Sequence, residues 1–341
     1  MADDLNSIAK ALVAPGKGIL AADESSGTIK KRFDGISVES TEENRRAYRE
    51  MLFTTPGLEE FISGVIQFDE TVRQKSSDGT PLSELLASRG IIPGIKVDAG
   101  AKDLALFPGE KVTEGFDGLR ERLAEYTSSF GCRFTKWRAV ITIDPGKLPT
   151  QFAVHANGHA LARFAALSQE AGMVPIVEPE VMMDGGHSID DCARATEEML
   201  TALFQQLALH QVSLEGTLLK TNMVLSGKDA SGRAGIEEVS KRTVDVLTRT
   251  VPAEIPGIVF LSGGQSDEEA TAHLNEMNKL GSHPWELSFS YGRALQAPSL
   301  NAWKGDPANA EAGQKALYHR AKLNGAARSG DYTADMENQA A

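Results

Sequence analysis

Short apolar runs recur along this chain at a regular interval. Eight of them read as strands, over 18–24, 61–68, 91–98, 134–143, 174–181, 218–224, 257–264 and 286–295. Each is apolar or β-branched, with Gly, Pro, Asp or Ser close by. That pattern fits strands covered on both faces better than strands alternating between core and water. Between them, helices are expected over 42–53, 117–130, 155–171, 189–210, 236–250 and 308–321, with another running from Ser266 to near Leu280. Ser40 with Glu43, and Ser266 with Glu269, have the spacing of a capping box, in which hydroxyl and carboxylate each satisfy an orphan N–H. An opening helix near 6–13 carries Leu5, Ile8, Ala9 and Leu12 at helical spacing, and Pro15-Gly16 stops it.

Strand and helix alternating eight times predicts parallel strands with crossover helices. Eight such units fit closure into a (β/α)8 TIM barrel better than an open sheet. A single catalytic domain over 1–328 is expected, followed by a polar, small-residue tail over 329–341 that is expected to be mobile.

With 341 residues, 41% of them hydrophobic, the chain is long enough to bury one large core. Its 35 basic and 47 acidic residues give a net charge of −12. A surplus of that sign repels nucleic acid and anionic membranes at long range, so neither is an expected partner. A local basic pocket for a small anionic substrate is still compatible with it. The N-terminus starts acidic and lacks the pattern of a secretory signal, and no stretch reaches the ~18 apolar residues of a membrane helix. Cys132 and Cys192 cannot form a disulfide framework, which points to a reducing, cytoplasmic compartment.

In a TIM barrel the active site lies at the C-terminal ends of the strands. Asp23 ends the first strand and Lys96 the third; Lys136 and Arg138 lie in the fourth, Glu178 and Glu180 in the fifth, Lys220 and Asn222 in the sixth. Residues i and i+2 share a face, so each of these pairs points one way. Any one of these charges alone reads as part of a structural ion pair. The whole set, recurring at strand ends, reads as a site, because such groups are costly to bury unless they pair with each other or with a ligand. Lysines mixed with carboxylates, without a metal-ligand cluster, point to amine chemistry in which a desolvated lysine attacks a carbonyl. Spacing alone does not choose among Lys96, Lys136 and Lys220.

Phosphate recognition is the second signal. Ser262-Gly263-Gly264 closes the seventh strand and Ser290-Tyr291-Gly292-Arg293 lies in the eighth, where barrels commonly bind phosphate. Glycines let backbone N–H groups approach an anion, serines add donors, and Arg293 can supply a bidentate charge. Ser25, Ser26, Gly27 and Thr28 with Lys30-Lys31-Arg32 form a weaker, second candidate. His155 and His159 stand four apart, but no glutamate lies between them as in the metalloprotease motif, so they read as surface histidines.

The motifs Gly18-Ile-Leu-Ala-Ala-Asp23-Glu-Ser25, Gly94-Ile-Lys96-Val-Asp98, Lys136-Trp-Arg138, Glu178-Pro-Glu180, Gly216-Thr-Leu-Leu-Lys220, Leu261-Ser-Gly-Gly-Gln-Ser266 and Phe289-Ser-Tyr-Gly-Arg-Ala-Leu295 occur in this order. Together they resemble the class I (Schiff-base) fructose-bisphosphate aldolase family over nearly the whole chain. The resemblance implies a lyase that reversibly cleaves fructose 1,6-bisphosphate to dihydroxyacetone phosphate and glyceraldehyde 3-phosphate in glycolysis and gluconeogenesis. It also implies a homotetramer with neither metal nor other cofactor. It makes Lys220 the Schiff-base lysine and Glu178 the acid/base. Asp23 and Lys136 would orient the C4 hydroxyl, and Glu180 would support Lys220 and its neighbours. Ser262, Gly263, Gly264, Ser290, Gly292 and Arg293 would hold the phosphate of the dihydroxyacetone half. Ser25, Thr28, Arg32 and Lys96 would serve the other phosphate, and Arg138 would also bind substrate. Two positions differ from the family pattern. Thr221 follows the lysine where the family often has proline. The chain ends in Glu337-Asn-Gln-Ala-Ala341 rather than in the tyrosine that enters the site. Either Tyr332 reaches the site from further back, or the proton on the enamine moves by Glu178 and water.

Overall fold

The structure, a computed structural model, describes residues 2–339. Eight parallel strands close a barrel in chain order: β1 (Gly18–Ala22), β2 (Ile62–Gln67), β3 (Ile92–Lys96), β4 (Phe134–Ile141), β5 (Val174–Val181), β6 (Leu218–Thr221), β7 (Gly257–Phe260) and β8 (Glu286–Tyr291), with β8 returning to β1. All eight expected runs are strands, most of them shorter than the runs. Beyond Ala22, Thr221 and Phe260 the expected runs continue to Glu24, Val224 and Gly264, but there the chain has already left the sheet.

Helices cover the outside. After β1 come α1's successors, α2 (Ser26–Asp34) and α3 (Glu42–Phe53), where α1 is the opening helix Ala2–Leu12. Short helices α4 (Asp69–Arg73) and α5 (Leu82–Ser88) follow β2, and α6 (Leu119–Phe130) follows β3. Then α7 (Gln151–Glu170), α8 (Ile189–Leu209), α9 (Ile236–Thr250) and α10 (Asp267–Lys279) each follow one strand, and α11 (Arg293–Trp303) and α12 (Ala310–Arg328) follow β8. The capping box of Ser266 and Glu269 is formed as expected. The one expected at Ser40 is not. Thr41 caps α3 instead, its hydroxyl accepting from the Asn44 N–H at 3.1 Å. Two adjacent hydroxyl residues precede that helix, and only the second lies one step before the first helical turn.

Inside the barrel, large and small residues alternate between strands. Phe134 of β4 fills the space left by Gly94 of β3, where a Cβ would stand 2.2 Å from the ring. Helix α1 plugs the N-terminal end, its Leu5, Ala9 and Leu12 packing with Ile19, Phe134, Ile176 and Leu218. That apolar plug leaves the opposite, C-terminal end as the one open to polar chemistry. A small antiparallel hairpin, Ala101–Asp103 with Lys111–Thr113, projects from the loop after β3.

The tail differs from what its polar composition implied. Tyr332 is buried, its N–H donating to Asn275 Oδ1 at 2.9 Å and its hydroxyl to Glu337 Oε1 at 2.9 Å. Both oxygens of Glu337 also accept from Arg320 of α12 at 2.6 Å. One aromatic anchor and one buried arginine dock a segment whose average composition is solvent-loving.

Candidate active site

At the C-terminal end of the strands lies a cavity of 590 Å³ lined by Asp23, Lys96, Lys136, Arg138, Glu178, Glu180 and Lys220, which come from β1, β3, β4, β5 and β6 or their ends. The ladder sets their heights. Lys96 pairs with Lys136 between β3 and β4, and Arg138 with Glu178 between β4 and β5, so the charged groups form a layer just above the apolar plug.

Lys136 is the centre of this layer. Its Nζ lies 2.6 Å from Asp23 Oδ2 and 3.2 Å from Glu178 Oε2, with its side chain 5% exposed. Burial alone would pull its pKa down, but Asp23 and Glu178 outweigh that and raise it above the ordinary lysine value. Lys136 therefore stays an ammonium. The two carboxyls respond in the opposite sense. Burial would raise both; for Asp23, Lys136 and Lys220 outweigh it, and for Glu178, Lys136, Lys220 and Arg138 do so, holding both below the usual carboxylate range.

Lys220 is buried as well, and its one ion pair among the described residues is with Glu178 Oε1 at 3.2 Å. Lys96 is held more firmly, donating to Asp98 Oδ1 at 2.7 Å and to the Asp98 carbonyl at 2.9 Å. Glu178 Oε2 is out of line with Lys136 and has no hydrogen-bond partner among the described residues, although it is buried. A buried carboxylate oxygen with a free lone pair, beside an amine, can accept and return a proton.

The same cavity is rimmed by groups suited to anions. Ser262, Gly263, Ser290, Gly292 and Arg293 line one side, and Ser25, Thr28, Arg32 and Lys96 another. The Ser290 hydroxyl is buried and without a partner among the described residues.

A family model described as "Fructose-bisphosphate aldolase class-I" matches residues 4–341. The chain belongs to this family. It is 57% identical over 331 residues to a probable class 1 fructose-bisphosphate aldolase of Xanthomonas campestris pv. campestris, covering 97% of this chain and 98% of that one. A cytosolic fructose-bisphosphate aldolase of Arabidopsis thaliana is 53% identical over 337 residues, covering 98% and 93%. Among solved structures, the Plasmodium falciparum fructose-bisphosphate aldolase, there in complex with TRAP and a small-molecule inhibitor, superposes with a TM-score of 0.96 at 50% identity, covering 98% of this chain and 96% of that one. The protein is thus a class I fructose-bisphosphate aldolase, a lyase acting on a phosphorylated sugar.

Of the site residues that the family resemblance implies, all but Gly264 line the one cavity, whereas Asn222, Ser26, Gly27, Lys30 and Lys31 do not. Gly264 is exposed beside it, at φ +76°, and a Cβ there would meet Met183 at 2.5 Å. Two side chains are engaged differently from expectation. Glu180 pairs with Arg138 rather than with Lys220. Arg293 binds the Ser262 and Gln265 carbonyls and lies 3.4 Å from Asp267, so its guanidinium braces the loop from Ser262 to Gln265. His155 is exposed, and His159 meets Gln206 and packs edge-on against His210.

Sequence reasoning missed Glu24 and Asp98. Glu24 is buried and takes Arg49 at 2.5 Å, Gln296 at 2.8 Å and the cavity-lining Arg32. Asp98 orients Lys96 and accepts the Arg138 N–H at 3.3 Å. Asp98 stands two residues after Lys96, and that i, i+2 spacing is the signal that marks it.

Proposed function

We propose that Lys220 is the amine that forms the Schiff base in this aldolase. The observation that carries it is the unequal hold on the three lysines: two carboxylates grip Lys136, and a carboxylate with a carbonyl grips Lys96. Lys220 has a single ion pair at 3.2 Å and an ammonium neighbour in Lys136, the surroundings that favour a nucleophilic amine.

Lys220 Nζ attacks the C2 carbonyl of open-chain fructose 1,6-bisphosphate. Glu178, a carboxylate at rest, takes a proton from Lys220 Nζ as it attacks and returns it to the carbinolamine hydroxyl, so that water leaves and a protonated imine remains. The C4 hydroxyl then loses its proton to the carboxylate set of Asp23 and Glu178, with Lys136 stabilising the charge. The C3–C4 bond breaks and its electron pair flows into the imine, giving a neutral enamine on Lys220 and free glyceraldehyde 3-phosphate. Protonation at C3 and hydrolysis release dihydroxyacetone phosphate and the lysine. Glu178 suits both proton movements because its Oε2, 3.2 Å from the Lys136 ammonium, accepts no hydrogen bond from the described residues.

Ser262, Gly263, Gly264, Ser290, Gly292 and Arg293 hold the phosphate of the dihydroxyacetone half, and Ser25, Thr28, Arg32 and Lys96 the other. The unpartnered Ser290 hydroxyl supports the first assignment. Two anchored ends keep the reacting atoms in line. The enzyme works in the cytoplasm, as the named cytosolic relative supports, and as a homotetramer. Leu106, Leu209 and Phe152 stand on the surface at 96%, 74% and 53% exposure, apolar area that subunit contacts would cover. A monomeric mass by sedimentation at micromolar concentration contradicts the tetramer.

The assignment of Lys220 is tested by Lys220→Ala in a coupled cleavage assay, with folding checked by circular dichroism. Loss of turnover by several orders of magnitude is expected. Near-full activity overturns the covalent route and favours a proton-transfer reaction run by Glu178 alone.

A further inference from the structure

The loop Ser262-Gly263-Gly264 has little to hold it by itself. Its glycines add no side-chain packing, and Gly264 needs a positive φ. Arg293 donates to its Ser262 carbonyl at 3.2 Å and Arg233 to its Gly264 carbonyl at 2.9 Å, and the next residue anchors its far end inside the protein. Gln265 is 4% exposed, so its amide lies inside the protein rather than in solvent. Its Oε1 meets His273 Nδ1 at 2.7 Å, and its backbone carbonyl accepts from Arg293. A carboxamide oxygen only accepts, so His273 Nδ1 carries the proton and the imidazole is the donor. The Gln265 Nε2 has no partner among the described residues. The imidazole is therefore the amide's single hydrogen bond.

His273 is itself rigidly placed. It lies on the buried face of α10, whose start is fixed by the Ser266–Glu269 capping box, and it is 4% exposed. Its carbonyl accepts the Ser240 hydroxyl of α9 at 3.2 Å, and one turn earlier the Ala270 carbonyl accepts from Tyr291 of β8 at 2.9 Å. Burial holds the imidazole pKa down at about 4, with Glu269 opposing weakly, so the ring is neutral where the enzyme works.

We propose that His273 is a positioning residue of the phosphate site: through Gln265 it fixes the loop whose Ser262 and Gly263 receive the phosphate of the dihydroxyacetone half. This rests on the reading that the Ser262 loop is that phosphate site. The histidine touches neither substrate nor Lys220. Its effect belongs to the binding of one phosphate and not to carbon–carbon cleavage.

The test uses the purified full chain and measures kcat and KM for fructose 1,6-bisphosphate, with inhibition constants for dihydroxyacetone phosphate and glyceraldehyde 3-phosphate. His273→Leu is expected to raise KM and the dihydroxyacetone phosphate constant by roughly fivefold to tenfold, the scale of one buried hydrogen bond. The glyceraldehyde 3-phosphate constant stays put, and kcat stays within about twofold. His273→Asn, which keeps a donor near the same place, is expected to recover most of the loss. Where His273→Leu does not fold, Gln265→Met removes the same bond from the other side and is expected to weaken dihydroxyacetone phosphate in the same way.

A lower melting temperature with both inhibition constants unchanged means the histidine only packs, and overturns the proposal. Weakening of both phosphates alike overturns it too. Ser262→Ala separates the premise from the inference: if it leaves the dihydroxyacetone phosphate constant unchanged, the phosphate assignment fails and the proposal falls with it. If Ser262→Ala weakens that constant and His273→Leu does not, the assignment stands and only the positioning role is lost.

Discussion

Lys136 shows most plainly how the site's charges depend on one another. Lys136→Met leaves Asp23 and Glu178 buried with one cation fewer, and breaking a buried pair in this way costs on the order of 3–5 kcal/mol. Both carboxyls have folded-state pKa values below their ordinary 3.8 and 4.5. Their pairing therefore stabilises the fold fully above those values, and the contribution fades as pH falls through the depressed ones. The melting-temperature gap between wild type and Lys136→Met is expected to be widest near neutrality and to shrink below about pH 4.5, where the freed carboxyls take up protons. A gap that does not change with pH contradicts this electrostatic account. Gly94 tests packing at the same scale. Gly94→Ala puts a methyl against the Phe134 ring, where overpacking costs about 1–3 kcal/mol. An unchanged melting temperature would show the barrel interior to be looser than drawn. Individual charges at strand ends were legible in the sequence because apolar neighbours isolate them. Their pairings were not: the ladder between β4 and β5 sets Arg138 opposite Glu178, yet its guanidinium reaches one pleat further to Glu180, a choice that spacing within one strand cannot express.

Among the elements, the strands were the most legible, because a run buried on both faces stands out against amphipathic helices. The hairpin at Ala101–Asp103 and Lys111–Thr113 was not. Its strands are three residues each and partly exposed, too short for a period to register. Composition misread the tail, since one anchoring residue decides its fate. Tyr332 does not line the cavity, and its hydroxyl is taken by Glu337. Tyr332→Phe is accordingly expected to leave proton exchange on dihydroxyacetone phosphate within about twofold, the outcome that a route through Glu178 and water requires. Tyr332→Ala instead removes a buried ring and is expected to destabilise the fold by ~3 kcal/mol in thermal or denaturant unfolding. Exchange falling by orders of magnitude in the phenylalanine variant would show that the tail rearranges to place its hydroxyl in the site.

The whole molecule carries −12, yet in its main cavity six cationic side chains face five carboxylates. Composition could exclude polyanionic partners but could not show that local surplus, which appears only when six strands bring their ends together. No described helix is long and apolar enough to cross a membrane. An imine performs the electron withdrawal that a Lewis acid performs in metal-dependent carbon–carbon cleavage. Excess chelator is therefore expected to leave turnover unchanged; loss of activity with EDTA, restored by zinc, would contradict the mechanism. The central claim is the covalent bond to one lysine. The most direct measurement is borohydride reduction in the presence of dihydroxyacetone phosphate, followed by peptide mass spectrometry. The account predicts a three-carbon adduct on Lys220 and on no other lysine. No adduct, or an adduct on Lys96 or Lys136, would contradict it.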